Sequence, residues 1–125
     1  MIDVVTNQLA DVQRRYPTAR TEQTADGQRV LVVPGIQLEA GWSSPDTTLR
    51  FVVPVGYPHA NLDSFYTDAS LRLASGAEPD NTALQQMFGG QYRWFSWHLG
   101  SGWDVERGSL DTYVRFCERR LRDVR

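Results

Sequence analysis

Apolar residues recur every three or four positions at both ends of the chain, the spacing that places them on one face of a helix. The first stripe consists of Ile2, Val5, Leu9, Val12 and Tyr16. The second consists of Leu110, Tyr113, Val114, Cys117, Leu121 and Val124. Pro17 ends the first helix, and Ser109 is a suitable N-cap for the second, with Arg115, Glu118, Arg119 and Arg122 expected to face water. The pattern predicts helices over residues 1–16 and from about residue 109.

Between these helices, β-branched and aromatic residues form short runs separated by turn residues. The runs "TARTEQTA" and "QRVLVVPGIQL" flank Asp26-Gly27, which predicts a hairpin with a type I′ turn. Pro34-Gly35 should interrupt the second of these strands. The runs "TTLRFVVPV" and "SFYTDASLRL" predict two further strands. Sequential strands with short connections favour an antiparallel meander of three to four strands.

The remaining segment is less regular in composition. Residues 74–90 begin with loop residues and predict a short helix from Thr82 to Phe88, which Gly89-Gly90 would end. The predicted order is therefore an N-terminal helix, a meander, an irregular segment and a C-terminal helix. This order is typical of the α+β class, and we expect a single domain over residues 1–125.

Composition and charge exclude several classes of function. The net charge of −2 argues against a dedicated nucleic-acid binder, which would carry a basic stripe. No apolar run is long enough to span a membrane, and no signal-peptide pattern opens the chain, so we expect a cytoplasmic protein. A single cysteine, Cys117, excludes an internal disulfide and a multi-cysteine zinc site. We expect neither a metal nor a cofactor.

All 13 basic residues are arginine, and the chain contains no lysine. A GC-rich genome would produce this bias through its arginine codons. Selection against acceptor amines, in a protein that handles activated acyl groups, would produce it as well. Composition alone leaves both explanations open.

The segment "YRWFSWHLGSGW" (92–103) brings a hydroxyl and an imidazole together, as Ser96 and His98. On a strand, residues two apart share a face, and a serine nucleophile requires such a nearby base. Asp104 is the nearest carboxylate beyond the following loop, and a third group of this kind often orients the base. A partly buried histidine without catalytic function fits the same pattern. Cys117 lies on the buried stripe of the second helix, which predicts an unreactive core thiol.

Two longer motifs resemble the ubiquitin-conjugating (UBC) superfamily. They are "FVVPVGYP" (51–58), a strand ending in a Tyr-Pro turn, and "GWDVERGSLDTYVRFCERRL" (102–121), a tryptophan shortly before a helix. Together with "YRWFSWHL", the second motif is most similar to the prokaryotic family-E UBC-like proteins. The resemblance covers about residues 1–123. It implies a UBC-like fold and partnership with a ubiquitin-like protein and its activating enzyme, without nucleic acid or membrane.

The chain departs from that superfamily at its catalytic centre. The His-Pro-Asn signature is absent, and so is the cysteine that carries the thioester. The family interval before Trp103 leads to Phe95, beside Ser96, so the resemblance implies Ser96 and His98 as candidate catalytic residues. The residues that would line this site are Tyr57, Pro58, Trp97, Trp103 and Asp104. A non-catalytic scaffold that binds a ubiquitin-like protein or activating enzyme is the alternative, and an unrelated small α+β binding module is a further one.

Overall fold

A computed structural model describes residues 3–60, 62–98 and 108–125, with His98 described by its backbone alone. These ranges contain two helices and six strands. In chain order they are α1 (Val4–Arg15), β1 (Arg20–Gln23), β2 (Arg29–Gln37), β3 (Asp46–Val53), β4 (Asp63–Asp68), β5 (Thr82–Met87), β6 (Gly90–His98) and α2 (Leu110–Arg122).

The strands form one sheet in the order β1-β2-β3-β4-β6-β5, and every neighbouring pair is antiparallel. The predicted α+β class, with a helix at each end of the meander, is confirmed. The sheet has six strands rather than three to four, because the segment predicted to be irregular supplies the β5–β6 hairpin.

The helix predicted from Thr82 to Phe88 is wrong, since these residues form β5 and the turn after it. Phe88 and Gly89 have φ angles of 55° and 78°, the two positive values of a type I′ turn. This turn pairs Met87 with Gly90 and brings β5 alongside β6. Cross-strand pairing therefore overrides the local helix preference of Ala83, Leu84, Gln85, Gln86 and Met87.

The first hairpin, β1–β2, is confirmed, but its turn type is not the predicted one. Asp26 keeps a negative φ, and only Gly27 of this pair is positive, at 87°. The Gly27 N–H donates to the Thr24 carbonyl at 2.9 Å, so a longer loop with glycine in the left-handed region joins the strands. The predicted interruption at Pro34-Gly35 is confirmed, because the β2–β3 register shifts there.

Both helices cover one face of the sheet and enclose the core with it. The buried residues of α2 are mainly those of the predicted stripe, and Cys117 is wholly buried as predicted. Glu118 was expected to face water, and this prediction is wrong. Its side chain is only 13% exposed and accepts hydrogen bonds from Arg15 at 2.8 Å and from the Tyr16 hydroxyl at 2.9 Å. These contacts tie α2 to the end of α1.

Candidate functional site

The predicted site residues of β6 lie where its pairing with β4 becomes irregular. Asp63 pairs with His98 and Phe65 pairs with Phe95, so Ser64 alone opposes the two residues Ser96 and Trp97. This count defines a β-bulge, a feature that re-aims side chains and is enriched beside active sites. Simple strand alternation, which would place Ser96 and His98 on one face, does not extend across a bulge.

Ser64 has a φ of +51°, in the left-handed region that most residues other than glycine avoid. Such a conformation costs on the order of 1 kcal/mol and persists only where the surroundings enforce it. The backbone opposite Ser96 is therefore held in an unfavourable conformation, as is common at functional sites.

The hydroxyl of Tyr113 supplies the contact that holds both strands at the bulge. It is wholly buried and donates to the carbonyl oxygens of Ser64, at 3.0 Å, and Trp97, at 3.3 Å. Burial raises the pKa of this hydroxyl, with smaller contributions from Cys117 and Asp63. Tyr113 is thus a fixed donor from α2 to the β4–β6 bulge.

Trp97 and Ser96 are each held by a neighbouring element. The Trp97 ring stacks on Phe116 of α2, with ring centroids 5.5 Å apart. Its indole Nε1 is buried and has no hydrogen-bond partner within the described ranges. The Ser96 N–H donates to the carbonyl of Asn81 at 2.9 Å, just before β5. The Ser96 side chain is only partly buried.

The Tyr57-Pro58 turn is joined to the beginning of α2 through Gln8 of α1. The Gln8 Oε1 accepts hydrogen bonds from the Tyr57 hydroxyl and, at 3.0 Å, from the Leu110 N–H. Burial raises the pKa of Tyr57 to about 12, and the hydrogen bond to Gln8 opposes part of that rise. The Tyr57–Pro58 peptide bond is cis. Tyr57 and the first turn of α2 are therefore neighbours.

Not every predicted site residue can be placed. Ser96 and Trp97 lie at the end of β6 with the backbone of His98, and Tyr57 lies against the start of α2. Trp103, Asp104 and the His98 side chain lie outside the described residues. The contacts that sequence reasoning missed involve Gln8, Asp63, Ser64 and the Tyr113 hydroxyl. Of these only Tyr113 had a signal, because a tyrosine on a buried stripe needs a partner for its hydroxyl.

The single thiol does not reach this site's surface. Cys117 is wholly buried in α2, and burial raises the pKa of its thiol well above the ordinary value. A protonated, enclosed thiol is a poor nucleophile.

Two features are absent from the described residues. Within them, no group of three or more histidine, cysteine, aspartate or glutamate side chains could hold a metal ion. No helix among them has the length and apolar character needed to cross a membrane.

The sequence matches a known protein family over most of its length. The model of prokaryotic E2 family E matches residues 10–124, from the middle of α1 to beyond the end of α2. The chain belongs to prokaryotic E2 family E. The resemblance predicted from the Tyr-Pro turn, the aromatic segment and Trp103 is therefore confirmed at the level of the family. No curated protein and no solved structure matches this family-E chain.

Proposed function

We propose that this protein is a transferase of a bacterial ubiquitin-like conjugation system, which carries the C-terminus of a ubiquitin-like protein as an oxyester on Ser96. The proposal rests on where the two candidate nucleophiles of the chain, the Cys117 thiol and the Ser96 hydroxyl, lie. In a member of prokaryotic E2 family E, the only thiol is enclosed in the core, whereas Ser96 is partly exposed at a strained bulge. The partners would be a ubiquitin-like protein and its activating enzyme, and we expect the reaction in the cytoplasm.

The proposed step is an acyl exchange from the activating enzyme. The Ser96 oxygen attacks the carbonyl carbon of the thioester, a C–O bond forms, and the C–S bond breaks. His98 takes the proton from the serine hydroxyl and delivers it to the departing thiolate. The product is an oxyester, which reacts with amines more slowly than a thioester. The absence of lysine would protect such a carrier from acylating itself.

Reconstitution with an activating enzyme, ATP and the ubiquitin-like protein tests this proposal. The wild-type chain should form an adduct that resists thiol reductant and is cleaved by alkali. Ser96→Ala should abolish the adduct, whereas Ser75→Ala, at an exposed loop serine, should leave it unchanged. Cys117→Ala should also retain it, since the buried thiol does not take part. An adduct that persists in Ser96→Ala would contradict the assignment of Ser96.

A non-catalytic scaffold is the second candidate, and the packing of Trp97 favours it. The Trp97 ring stacks on Phe116 of α2, so aromatic packing beside Ser96 joins the end of β6 to the helix. A stable complex with the ubiquitin-like protein or the activating enzyme, without any adduct, would support the scaffold instead of the transferase.

A further inference from the structure

A buried arginine near the end of α2 contacts the sheet beside the candidate nucleophile. The side chain of Arg120 is only 1% exposed, and its guanidinium carbon lies 5.2 Å from the centre of the Phe95 ring. Phe95 directly precedes Ser96 on β6. Neither the apolar stripe of α2 nor the aromatic segment around Ser96 includes Arg120, so residue spacing alone does not point to it.

The hydrogen bonds of Arg120 go to backbone carbonyls of two separate parts of the chain. Two of them satisfy the end of α2, because Nη1 donates to the Asp123 carbonyl at 2.8 Å and Nη2 donates to the Arg125 carbonyl at 3.0 Å. Nη2 also donates to the carbonyl of Asp80, at 3.0 Å. A cap of the helix needs only the first two bonds. The third bond joins α2 to the segment just before β5.

Both backbone polar groups of Asp80 are held by the end of α2. Its carbonyl accepts from Arg120, and its N–H donates to the Arg125 carbonyl at 3.2 Å. The Asp80 carbonyl and the Asn81 N–H belong to one rigid peptide plane. Because Arg120 fixes the orientation of this plane, it restricts the backbone of Asn81.

Asn81 adopts an unfavourable backbone conformation in which its carbonyl meets Ser96. Its φ is +58°, in the left-handed region that residues with a side chain rarely occupy. In this conformation its carbonyl accepts from the Ser96 N–H at 2.9 Å. On the other side of Asn81, the buried Arg93 donates to the Thr82 hydroxyl at 3.0 Å. Buried arginines therefore hold the residues on both sides of Asn81.

We propose that Arg120 is a positioning residue for Ser96: through the Asp80 carbonyl it holds Asn81 in the left-handed conformation whose carbonyl anchors the Ser96 N–H. Its effect on transfer rests on the proposed function, in which Ser96 carries the acyl group, whereas the contacts themselves are a property of the folded chain. A displacement of a reacting group by about 1 Å can cost about a hundredfold in rate. Loss of Arg120 should therefore slow the acylation of Ser96 without removing its hydroxyl.

Amide hydrogen exchange followed by NMR tests these contacts without any transfer reaction. The exchange of the Leu31 amide, in the middle of β2, serves as the reference for the stability of the whole sheet. In Arg120→Met, which keeps apolar volume but has no donor, the ratio of Ser96 to Leu31 exchange should rise about tenfold. Arg120→Lys should recover part of the protection of Ser96, because an ammonium group can still donate to the Asp80 carbonyl.

A matched control removes a different arginine that supports α2. Arg15 pairs with Asp111 at 2.7 Å and with Glu118 at 2.8 Å, and both are contacts of α2 with α1. Arg15→Met should therefore lower stability but leave the ratio of Ser96 to Leu31 exchange unchanged. A rise of this ratio in Arg15→Met as large as in Arg120→Met would show that Ser96 responds to general loosening of α2, and would contradict the proposal.

Substitution of the exposed Asn81 tests the second link without a change in the core. A β-branched residue disfavours a positive φ, whereas glycine adopts it readily. Asn81→Val should therefore raise Ser96 exchange about tenfold relative to Leu31, and Asn81→Gly should retain most of the protection. Equal protection of Ser96 in Asn81→Val and the wild type would contradict the role of the left-handed conformation.

The outcomes separate this proposal from the proposed function. Ser96 exchange in Arg120→Met that changes only as much as Leu31 exchange would overturn the proposal, and Arg120→Lys is judged by the same criterion if Arg120→Met does not fold. A selective rise of Ser96 exchange with no adduct on the wild type would uphold the contacts and refute the transferase. Where the wild type forms the adduct, Arg120→Met should form it at least about tenfold more slowly. An equal rate would show that Ser96 does not depend on Arg120.

Discussion

The two ends of the β4–β6 pair are built differently, although the same two strands form both. At the end away from the site, Thr67 pairs with Arg93 and Asp68 pairs with Tyr92 in regular register. The Asp68 carboxylate there accepts from the Thr47 hydroxyl at 3.1 Å and from the Thr48 N–H at 3.4 Å. The Asp68 carboxylate at the regular end therefore finds its hydrogen-bond donors on a neighbouring strand.

At the site end the register slips, and support comes from a helix. One hydroxyl of α2, that of Tyr113, bonds to a carbonyl on each strand, and one amide of α1, that of Gln8, joins the Tyr57 turn to α2. Among the described residues, these hydrogen bonds join the site end to the two helices. The comparison teaches that neighbouring strands hold the regular end, whereas side chains of the two helices also hold the irregular end.

The largest expected effect is the loss of stability when Arg93, at the regular end, is replaced. Its side chain is wholly buried, donates to the Thr82 hydroxyl at 3.0 Å and lies 3.6 Å from the Glu78 carboxylate. Arg93→Ala should lower the free energy of unfolding by about 3 kcal/mol, because it leaves a cavity in the core. Urea denaturation measures this loss.

Arg93→Met is the matched control, since it restores apolar volume without a charge. Burial lowers the pKa of this guanidinium, and its Nε and Nη2 have no hydrogen-bond partner among the described residues. Replacing a buried charge by an apolar side chain of similar size is often neutral. We expect Arg93→Met to lose less than half as much stability as Arg93→Ala. Equal losses would show that the polar contacts, rather than packing, stabilise this end.

A smaller loss of stability is expected when the Tyr113 hydroxyl is removed at the site end. Tyr113→Phe removes the donor to the buried carbonyl of Ser64 and the partly buried carbonyl of Trp97, which should cost about 1–2 kcal/mol. Tyr66→Phe on β4 is the control, because that hydroxyl makes only a 3.5 Å contact with Gln85. It should cost less than about 0.5 kcal/mol. Urea unfolding of both variants checks the difference, and equal losses would show that the bulge does not depend on α2.

Much of the architecture was predictable because it follows from local periodicity. The stripes of α1 and α2 require only 3.6-residue spacing, and Ser109 is the N-cap that its position suggested. The segment from Thr82 to Phe88 was not predictable in this way. Its strand character comes from pairing with β6, and a residue-by-residue reading has no access to that partner.

The residues of the candidate site also differ in whether the local sequence could predict them. Ser96 and His98 are close in sequence, so a local motif could suggest them. Asp63 is the register partner of His98, and Gln8 contacts Tyr57 and Leu110, so only the register of the sheet and the packing of the helices reveal them. A group of residues that comes together from several strands therefore cannot be predicted from residue spacing within one segment.

The last expected effect appears only at alkaline pH and concerns the Tyr57 contact. Burial raises the pKa of Tyr57 to about 12, whereas an unfolded tyrosine titrates near 10. Between these values the unfolded chain has lost the proton that the folded chain keeps, so stability present below pH 10 falls as pH rises towards 12. In Tyr57→Phe this fall should be shallower than in the wild type, by up to about 1.4 kcal/mol per pH unit.

Tyr16 provides the reference away from the Tyr57 turn. Burial, with the neighbouring Glu118, also raises the pKa of Tyr16 to about 12, so Tyr16→Phe should make the alkaline fall shallower as well. Urea unfolding measured from pH 9 to 12 gives both slopes. Only Tyr57→Phe should also weaken protection of the Leu110 amide from hydrogen exchange, since Tyr57 and Leu110 share the Gln8 oxygen. An unchanged slope in Tyr57→Phe would mean that its hydroxyl reaches water at the site end, and that Gln8 does not enclose it.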